Sequence, residues 1–307
     1  MTQTPNKTAE SETAPGLRDR VVSLLAVGTI KLLGFLPYRW RLPVGGWVVS
    51  HIASPIIGYR KRIRENLSFV FPEMSQAEKT RMSRAVPAQI GRTLVELFSP
   101  EDFKKIAAQA PMTGEGVAAL DAARKAGQPV ILVSGHFGNY DAVRSALIQQ
   151  GFNVGGLYRS MNLKGFNDFY VSRISQIGQP LFLRGQRGMG EMVRFLKGGN
   201  TIALLIDQHM GAGAPLSFFG KTASTALSAA DMALRYDALL VPCYGVRRAD
   251  GMHFDVIIEA PVPHTTPEEM TQALNDSLEA QVRDHMDQWL WIHRRWKAEA
   301  IQTGTAL

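Results

Sequence analysis

Cysteine is almost missing: the 307 residues contain one, Cys243. A single thiol excludes an internal disulfide and fits a reducing compartment. It lies in the apolar run LLVPCYGV, which reads as a core position rather than a nucleophile. No basic start leads directly into an apolar stretch and a small-residue cleavage site, so a signal peptide is not expected. Neither a Walker A loop nor a G-x-G-x-x-G follows an apolar run, and Gly185-Gln-Arg-Gly188 and Gly211-Ala-Gly213 are too short for either. His51, His209, His253, His264, His285 and His293 form no i, i+4 pair and have no CxxC partner, so no metal is expected. With no zinc-finger or RRM-type signature, nucleic acid is not the expected partner. No internal repeat is visible.

What is present is apolar and cationic. Hydrophobic residues make up 45% of the chain, enough for a substantial core, and the net charge is +7. Such an excess suits nucleic acid, an anionic membrane surface or an acidic substrate, and its distribution must decide. Residues 1–15 are polar and rich in Thr, Glu and Ser, and are expected to be a disordered tail. Val21–Pro37, VVSLLAVGTIKLLGFLP, is the most apolar segment. On a helical wheel Ser23, Lys31 and Gly34 fall together, and the remaining arc is apolar. It can lie in a membrane interface, span once with Lys31 snorkelling, or be a core helix. Tyr38-Arg-Trp-Arg41 follows, a mixture common at headgroup level. A second apolar stretch, Val44–Ile57, leads into Tyr59-Arg60-Lys61-Arg62-Ile63-Arg64. Those cations point to anionic lipid or phosphorylated headgroups, the alternative being a solvated helix face.

Ser75-Gln-Ala-Glu78 has the form of a capping box opening a helix that runs to about Phe98. Gly116–Ala126 reads as another helix. Strands are then expected at Val130–Val133, Asn153–Tyr158, Leu181–Leu183, Thr201–Ile206, Leu239–Val246 and Phe254–Ile258. Helices are expected at Phe166–Ile177, Gly190–Leu196, Thr225–Arg235 and Glu268–Met286. This alternation predicts an α/β fold, a mostly parallel central sheet flanked by helices, preceded by an N-terminal membrane-associated helical segment. The expected division is a tail over 1–15, a membrane-associated segment over 16–60, a catalytic domain over 61–300 and a tail over 301–307.

The stretch PVILVSGHFGNYDAVRSALIQ carries the chemistry. Val130–Val133 ends in Ser134-Gly135, His136 follows, and a helix begins near Asn139, a good N-cap residue. Asp141 falls in its first turn, where the helix dipole favours an anion. If the Gly135–Gly138 loop folds back, the Asp141 carboxylate accepts from one imidazole nitrogen and leaves the other basic. That is two-thirds of a catalytic triad. Ser134 lacks the G-x-S-x-G elbow, and no other nucleophile is obvious. A base without its own nucleophile suits activation of a hydroxyl on the substrate. The bland alternative is a histidine held by hydrogen bonds at a strand end.

His136-Phe-Gly-Asn-Tyr-Asp141 resembles the H-x4-D/E motif of the glycerolipid acyltransferase superfamily. Further blocks in order bring it closest to the lipid A biosynthesis (lauroyl/myristoyl, late) acyltransferases. They are Arg62–Leu67 with Phe71-Pro72, Tyr158-Arg159 with Asn162, Asp207-Gln208, Leu216–Gly220 with Thr225, Val241-Pro242 and Trp289–Lys297. The resemblance covers about residues 20–300. It implies transfer of a fatty acyl chain from an acyl-carrier-protein thioester to a hydroxyl of a lipid A precursor. The place implied is the cytoplasmic face of the bacterial inner membrane. His136 would be the base, oriented by Asp141, and Arg159 would meet the acceptor phosphate or serve catalysis. A thioester is already activated, so no cofactor is required. Backbone N–H groups near Gly138–Tyr140 are candidates for the oxyanion site, and Asn139 is a candidate substrate contact. Asp207, at a strand end, is either a site residue or a turn cap. Arg184, on a Gly-rich loop, is a candidate phosphate contact with Arg187. Lys31, Arg60, Lys61, Arg62, Arg294 and Arg295 are candidate membrane or phosphate contacts, the last two set among tryptophans that either face headgroups or pack the C-terminus. Phe218 and Phe219 read as core, or as lining of an acyl channel. The same residues leave open a related glycolipid acceptor such as a phosphatidylinositol mannoside, or a thioesterase using water.

Overall fold

The computed structural model describes residues 16–161 and 163–296. The two expected tails, Asn162 and Lys297 therefore lie outside the described residues.

The N-terminal third is helical: α1 (Leu17–Leu33), α2 (Tyr38–Val48), a π-helical turn Val49–Ala53 running into α3 (Ser54–Ile56), α4 (Tyr59–Val70), α5 (Gln76–Leu97) and α6 (Pro100–Ala107). Strands and helices then alternate. They are β1 (Met112–Thr113), α7 (Gly116–Ala126), β2 (Val130–Ser134), α8 (Tyr140–Gln149), β3 (Val154–Tyr158), α9 (Lys164–Ile177), β4 (Leu181–Leu183), α10 (Gln186–Lys197) and β5 (Thr201–Leu205). After a hairpin, β6 (Ala214–Phe218) and β7 (Lys221–Thr225), come α11 (Ser228–Tyr236), β8 (Leu239–Arg247), β9 (Phe254–Ile258) and α12 (Pro267–Asp284). The main sheet has the order β1-β9-β8-β2-β5-β3-β4, and every neighbouring pair is parallel except β8 with β9.

All five residues of β2 are buried, as a central parallel strand covered on both faces requires. One core, with Leu132, Val143, Leu147 and Val241, lies between the sheet and α8. Another, with Ile131, Ile202, Met192 and Leu274, fills the opposite face. The predicted capping box opens α5: the Ser75 hydroxyl accepts from Glu78 N–H, and the Glu78 carboxylate accepts from Ser75 N–H. The strand expectations hold to within a residue or two. Two elements are missed, the two-residue β1 and the hairpin of β6 and β7. The hairpin's turn is made by Phe219 and Gly220, both at positive φ (56° and 66°). That is the backbone of a two-residue hairpin turn, without the Asn-Gly or Asp-Gly that usually announces one. Thr225 closes β7, so the next helix starts at Ser228 rather than Thr225.

The N-terminal helices are arranged against the usual polarity. Ser23 of α1 is buried, and the Asp19 carboxylate accepts from the Gly165 N–H at the start of α9. Of the polar stripe, Ser23 thus faces protein, while Lys31 and Gly34 are exposed. Leu17, Leu24, Leu32 and Phe35 point outward, Phe35 at 86% exposure. Trp40, Trp47, Ile52, Ile56 and Ile57 continue the exposed apolar surface through α2 and α3. A core helix buries its leucines, so the core reading of Val21–Pro37 is wrong. Among the described residues no helix is long and apolar enough to cross a membrane. Beneath this layer α2 meets α5 backbone to backbone: a Cβ on Gly91 would collide with the Gly45 carbonyl and the Gly46 Cα.

A buried charge cluster joins α5 to the sheet. Arg247, on β8, donates to both carboxylate oxygens of Glu96, and Asn139 Nδ2 donates to Glu96 Oε2 at 2.7 Å. Glu96, Arg247 and Asn139 are all buried. Glu96→Ala strands Arg247 as an uncompensated buried charge. It is expected to lower unfolding free energy by about 3–5 kcal/mol in urea titration. Glu96→Leu combined with Arg247→Met is expected to recover most of that loss.

Candidate active site

The register of the sheet makes the site. Ser134 pairs with Leu205 where β2 meets β5, so His136 and Asp207 leave the two strands level with each other. Nδ1 of His136 donates to Asp207 Oδ1 at 2.8 Å. The His136 backbone N–H and Trp289 Nε1 donate to Asp207 Oδ2 at 2.8 and 2.9 Å. Asp207 is 0% exposed. Burial alone would raise its pKa. The His136 charge and hydrogen bonds and the nearby His293 outweigh that and hold it well below the usual carboxylate range. An ionised carboxylate on Nδ1 fixes the tautomer, leaving the lone pair on Nε2, towards which the Gln208 amide points from 3.4 Å.

This corrects the expectation for Asp141. Its carboxylate turns away into α8 and accepts from Arg144 Nε at 2.9 Å, with no hydrogen bond to His136. Arg144 in turn donates to the Gly178 and Ile174 carbonyls, so the pair ties α8 to the end of α9. The side chain at i+3 is the near neighbour on a helix. Asp207 is corrected from substrate contact to the partner of His136, since a wholly buried carboxylate with three donors has no face for a ligand. Asn139 is likewise structural: 2% exposed, its side chain accepts from Asp141 N–H and donates to Glu96.

The turn before α8 is fixed from three sides. Gly138 N–H donates to Gln288 O, and Asn139 N–H to Gly245 O, each at 2.9 Å. The Gln288 side chain bonds both the N–H and the carbonyl of Arg247 at 2.8 Å. Gly138 has φ +54°, and a Cβ there would collide with the Gly245 carbonyl. The expected backbone oxyanion donors at Gly138 and Asn139 are thus already spent.

His136 stands at the mouth of a cleft of about 220 Å³ between the sheet and α8 and α9. Exposed Arg159 and half-buried Tyr158 stand with it there, Ser134, Tyr140, Asp141, Arg144 and Tyr170 also line the cleft, and the almost wholly buried Leu132, Val143 and Cys243 form its apolar wall. Burial raises the Cys243 thiol to about 12 and keeps it inert. Burial also raises the phenols, Tyr170 to about 12 and Tyr140 well above the usual tyrosine range. Both therefore stay protonated at working pH.

Among the phosphate and membrane candidates, Arg159 lines the cleft. Arg184 is exposed just beyond it, its backbone N–H donating to Tyr158 O at 2.8 Å. Arg187 is exposed and paired with Glu191 at 3.0 Å. Lys31 and Arg294 are exposed, as is Lys61, 3.7 Å from Glu65. Arg62 is half-buried, and Arg60 donates to Ser50 O at 2.6 Å. Arg295 is a correction: fully buried, it donates to Ser224 O and Thr225 Oγ1 and lies over Phe218. Trp289, Trp291 and Trp296 are buried with Phe218 and Phe219 in one aromatic cluster, so they pack the C-terminus and do not face headgroups.

The residue that sequence reasoning passed over is His293. Its ring stands edge-to-face with His136, centroids 4.8 Å apart. Ligand atoms of His136, Asp207 and His293 fall within 4.8 Å of one another, close enough for a cation. Nδ1 of His136 and Oδ1 of Asp207 are already committed to each other, however, and the geometry is that of a hydrogen-bonded pair. Spacing could not flag His293, which is far from His136 in sequence.

Such a pair, whose basic nitrogen meets only the long Gln208 contact and no serine or cysteine, can take a proton from a hydroxyl or water brought by a ligand. Comparison with known proteins agrees. The profile of the family described as bacterial lipid A biosynthesis acyltransferase matches residues 16–298. The chain belongs to that family and is an acyltransferase. It is 26% identical over 288 residues to the lipid A biosynthesis lauroyltransferase of Escherichia coli, covering 89% of this chain and 90% of the other. It is 21% identical over 271 residues to a lipid A biosynthesis acyltransferase of Haemophilus influenzae, covering 87% and 85%. A phosphatidylinositol mannoside acyltransferase of Mycobacterium tuberculosis is 22% identical over 255 residues, covering 81% of each chain.

The two aspartates are expected to separate cleanly. Asp207→Asn should lower kcat by about 10³–10⁴-fold through the wrong tautomer, with the fold kept. Asp141→Asn should act on stability, costing about 3–5 kcal/mol by breaking a buried pair. Kinetics and urea titration of both variants check this.

His293 gives a pH signature. Burial, with His136 and Arg295 nearby, lowers its pKa from 6.5 to about 4, so the unfolded chain binds this proton first. Its contribution is complete above 6.5 and is lost as pH falls towards 4. Unfolding titrations across that window should show a falling stability that His293→Gln removes.

Proposed function

We propose that the protein moves a fatty acyl chain from an acyl-carrier-protein thioester to a hydroxyl of a lipid A precursor. The work is done at the cytoplasmic face of the bacterial inner membrane. The observation that carries the reading is the His136–Asp207 pair at the mouth of a half-apolar cleft, with no protein nucleophile bonded to the base.

The acceptor hydroxyl approaches Nε2 of His136. As its oxygen adds to the thioester carbonyl carbon, its proton passes to Nε2, and Asp207 stabilises the imidazolium through Nδ1–H. The carbonyl π pair moves onto oxygen, then returns to expel the thiolate, which takes the proton from His136. One ester bond forms, one thioester bond breaks, and the base is restored. The apolar wall of the cleft suits the acyl chain. Arg159 at the mouth suits an acceptor phosphate, which a guanidinium binds in bidentate fashion.

Membrane association rests on the outward leucines of α1 and the exposed Phe35, Trp40, Trp47 and Ile56. A contiguous apolar surface of this kind marks an interaction site, and Lys31 and Lys61 sit along it for anionic lipid. The mode is interfacial. The similarity to a phosphatidylinositol mannoside acyltransferase keeps that glycolipid as the second reading of the acceptor.

The deciding experiment mixes the full chain with acyl-carrier-protein thioester and vesicles bearing a lipid A precursor, and reads the products by mass spectrometry. Wild type is expected to add one acyl chain, and His136→Ala to lose about 10³-fold while the protein still folds. A Leu24→Glu, Leu32→Glu, Phe35→Glu variant should no longer float with the vesicles. Fatty acid release equally fast without acceptor would make the protein a thioesterase. Transfer only to a phosphatidylinositol mannoside would select the second acceptor.

A further inference from the structure

Acyl transfer leaves one requirement unassigned. Negative charge develops on the carbonyl oxygen as the acceptor adds, and it needs fixed donors about 2.7–3.1 Å away. At the start of α8, the usual source, three amides are already engaged. The N–H groups of Gly138, Asn139 and Asp141 donate to Gln288 O, Gly245 O and Asn139 Oδ1.

Two hydroxyl-bearing residues line the same cleft as His136. Ser134 ends β2, and alternation along the strand puts its side chain on the same face as Leu132, which also lines the cleft. Ser134 is 6% exposed and lines the cleft, yet its Oγ has no hydrogen-bond partner. Buried polar atoms are nearly always paired, and an exception calls for a reason. Tyr140 also lines the cleft and holds its ring edge-to-face with His136, centroids 5.8 Å apart. None of the described residues hydrogen-bonds its hydroxyl. Burial, then the charge of Asp141, keeps that phenol protonated and able to donate. Both side chains are anchored: β2 is central in the sheet, and Tyr140 follows the triply held turn.

We propose that the Ser134 and Tyr140 hydroxyls are catalytic residues, the donors that receive the thioester carbonyl oxygen and the oxyanion formed from it. The inference rests on the acyl-transfer reading above. The two O–H groups take the place of the backbone amides. They lose no proton: they hold the oxygen while the π pair rests on it and release it when the thiolate leaves. An unpaired Ser134 is then the cost of a donor kept ready for the substrate.

The test uses the full chain and an acyl-carrier-protein thioester labelled with ¹³C at the carbonyl. Tyr140→Phe and Ser134→Ala each delete one O–H and little else. Each is expected to lower kcat for thioester cleavage by about 10²-fold, with KM for the thioester and the melting temperature essentially unchanged. Ser134→Thr, which keeps the hydroxyl, should recover much of the loss. In a His136→Ala background, which holds the thioester uncleaved, infrared spectra should show the labelled carbonyl stretch moved to lower wavenumber. Adding Tyr140→Phe should reverse part of that shift. Wild-type turnover by both single variants, with the carbonyl stretch unmoved, would overturn the inference and leave the acyltransferase intact. A wild-type protein that cleaves no thioester would overturn the reading beneath it as well.

Discussion

The Asp207 carboxylate is the point on which the rest of the site depends. It is fully buried, and it receives the ring and backbone of His136 and the indole of Trp289. An ion so placed is tolerable only because each donor is fixed. Three elements remote in sequence, the ends of β2 and β5 and the C-terminal segment, must therefore meet at one carboxylate. The sheet register supplies the first contact and the aromatic cluster around Trp289 the second. The base is oriented by the same bonds that hold the fold together, so its direction does not depend on a substrate.

The turn between His136 and α8 shows a related economy. Its amides go to Gln288 and Gly245, and its Asn139 side chain reaches Glu96 on α5. A turn held this firmly gives a rigid platform but has few backbone donors left. Side chains must then do the electrostatic work that backbone amides do in many acyl-transfer sites.

Much of this was legible in the sequence. The apolar runs and helical spacings located the main strands and most helices, and His136 stood out at a strand end with no nucleophile beside it. Cys243 was correctly read as core. The partner of His136 was not legible. Asp141 is near in sequence and sits in a first helical turn that suits a carboxylate, whereas Asp207 becomes a neighbour only once β5 lies against β2. Pairing order in a parallel sheet is a long-range property that local spacing does not encode. Arg295 failed for a similar reason: beside Arg294 it looked like surface charge, but Ser224, Thr225 and Phe218 enclose it. The direction of α1 was hidden too, because a helical wheel does not show that Ser23 is covered while Leu24, Leu32 and Phe35 stay exposed.

The C-terminal segment has a bearing on biosynthesis. Gln288 holds Gly138 and Arg247, Trp289 holds Asp207, and the Leu290 N–H donates to the carbonyl of His136. These contacts all come from residues 288–290, far in sequence from His136. While the nascent polypeptide is still on the ribosome, β2 and β5 can pair, but the carboxylate between them lacks its indole and the α8 turn lacks its clamp. A prematurely terminated product would keep the apolar helices and the base yet leave the machinery unassembled. The catalytic centre is therefore finished only when residues 288–290 reach it, however early β2 and β5 have paired.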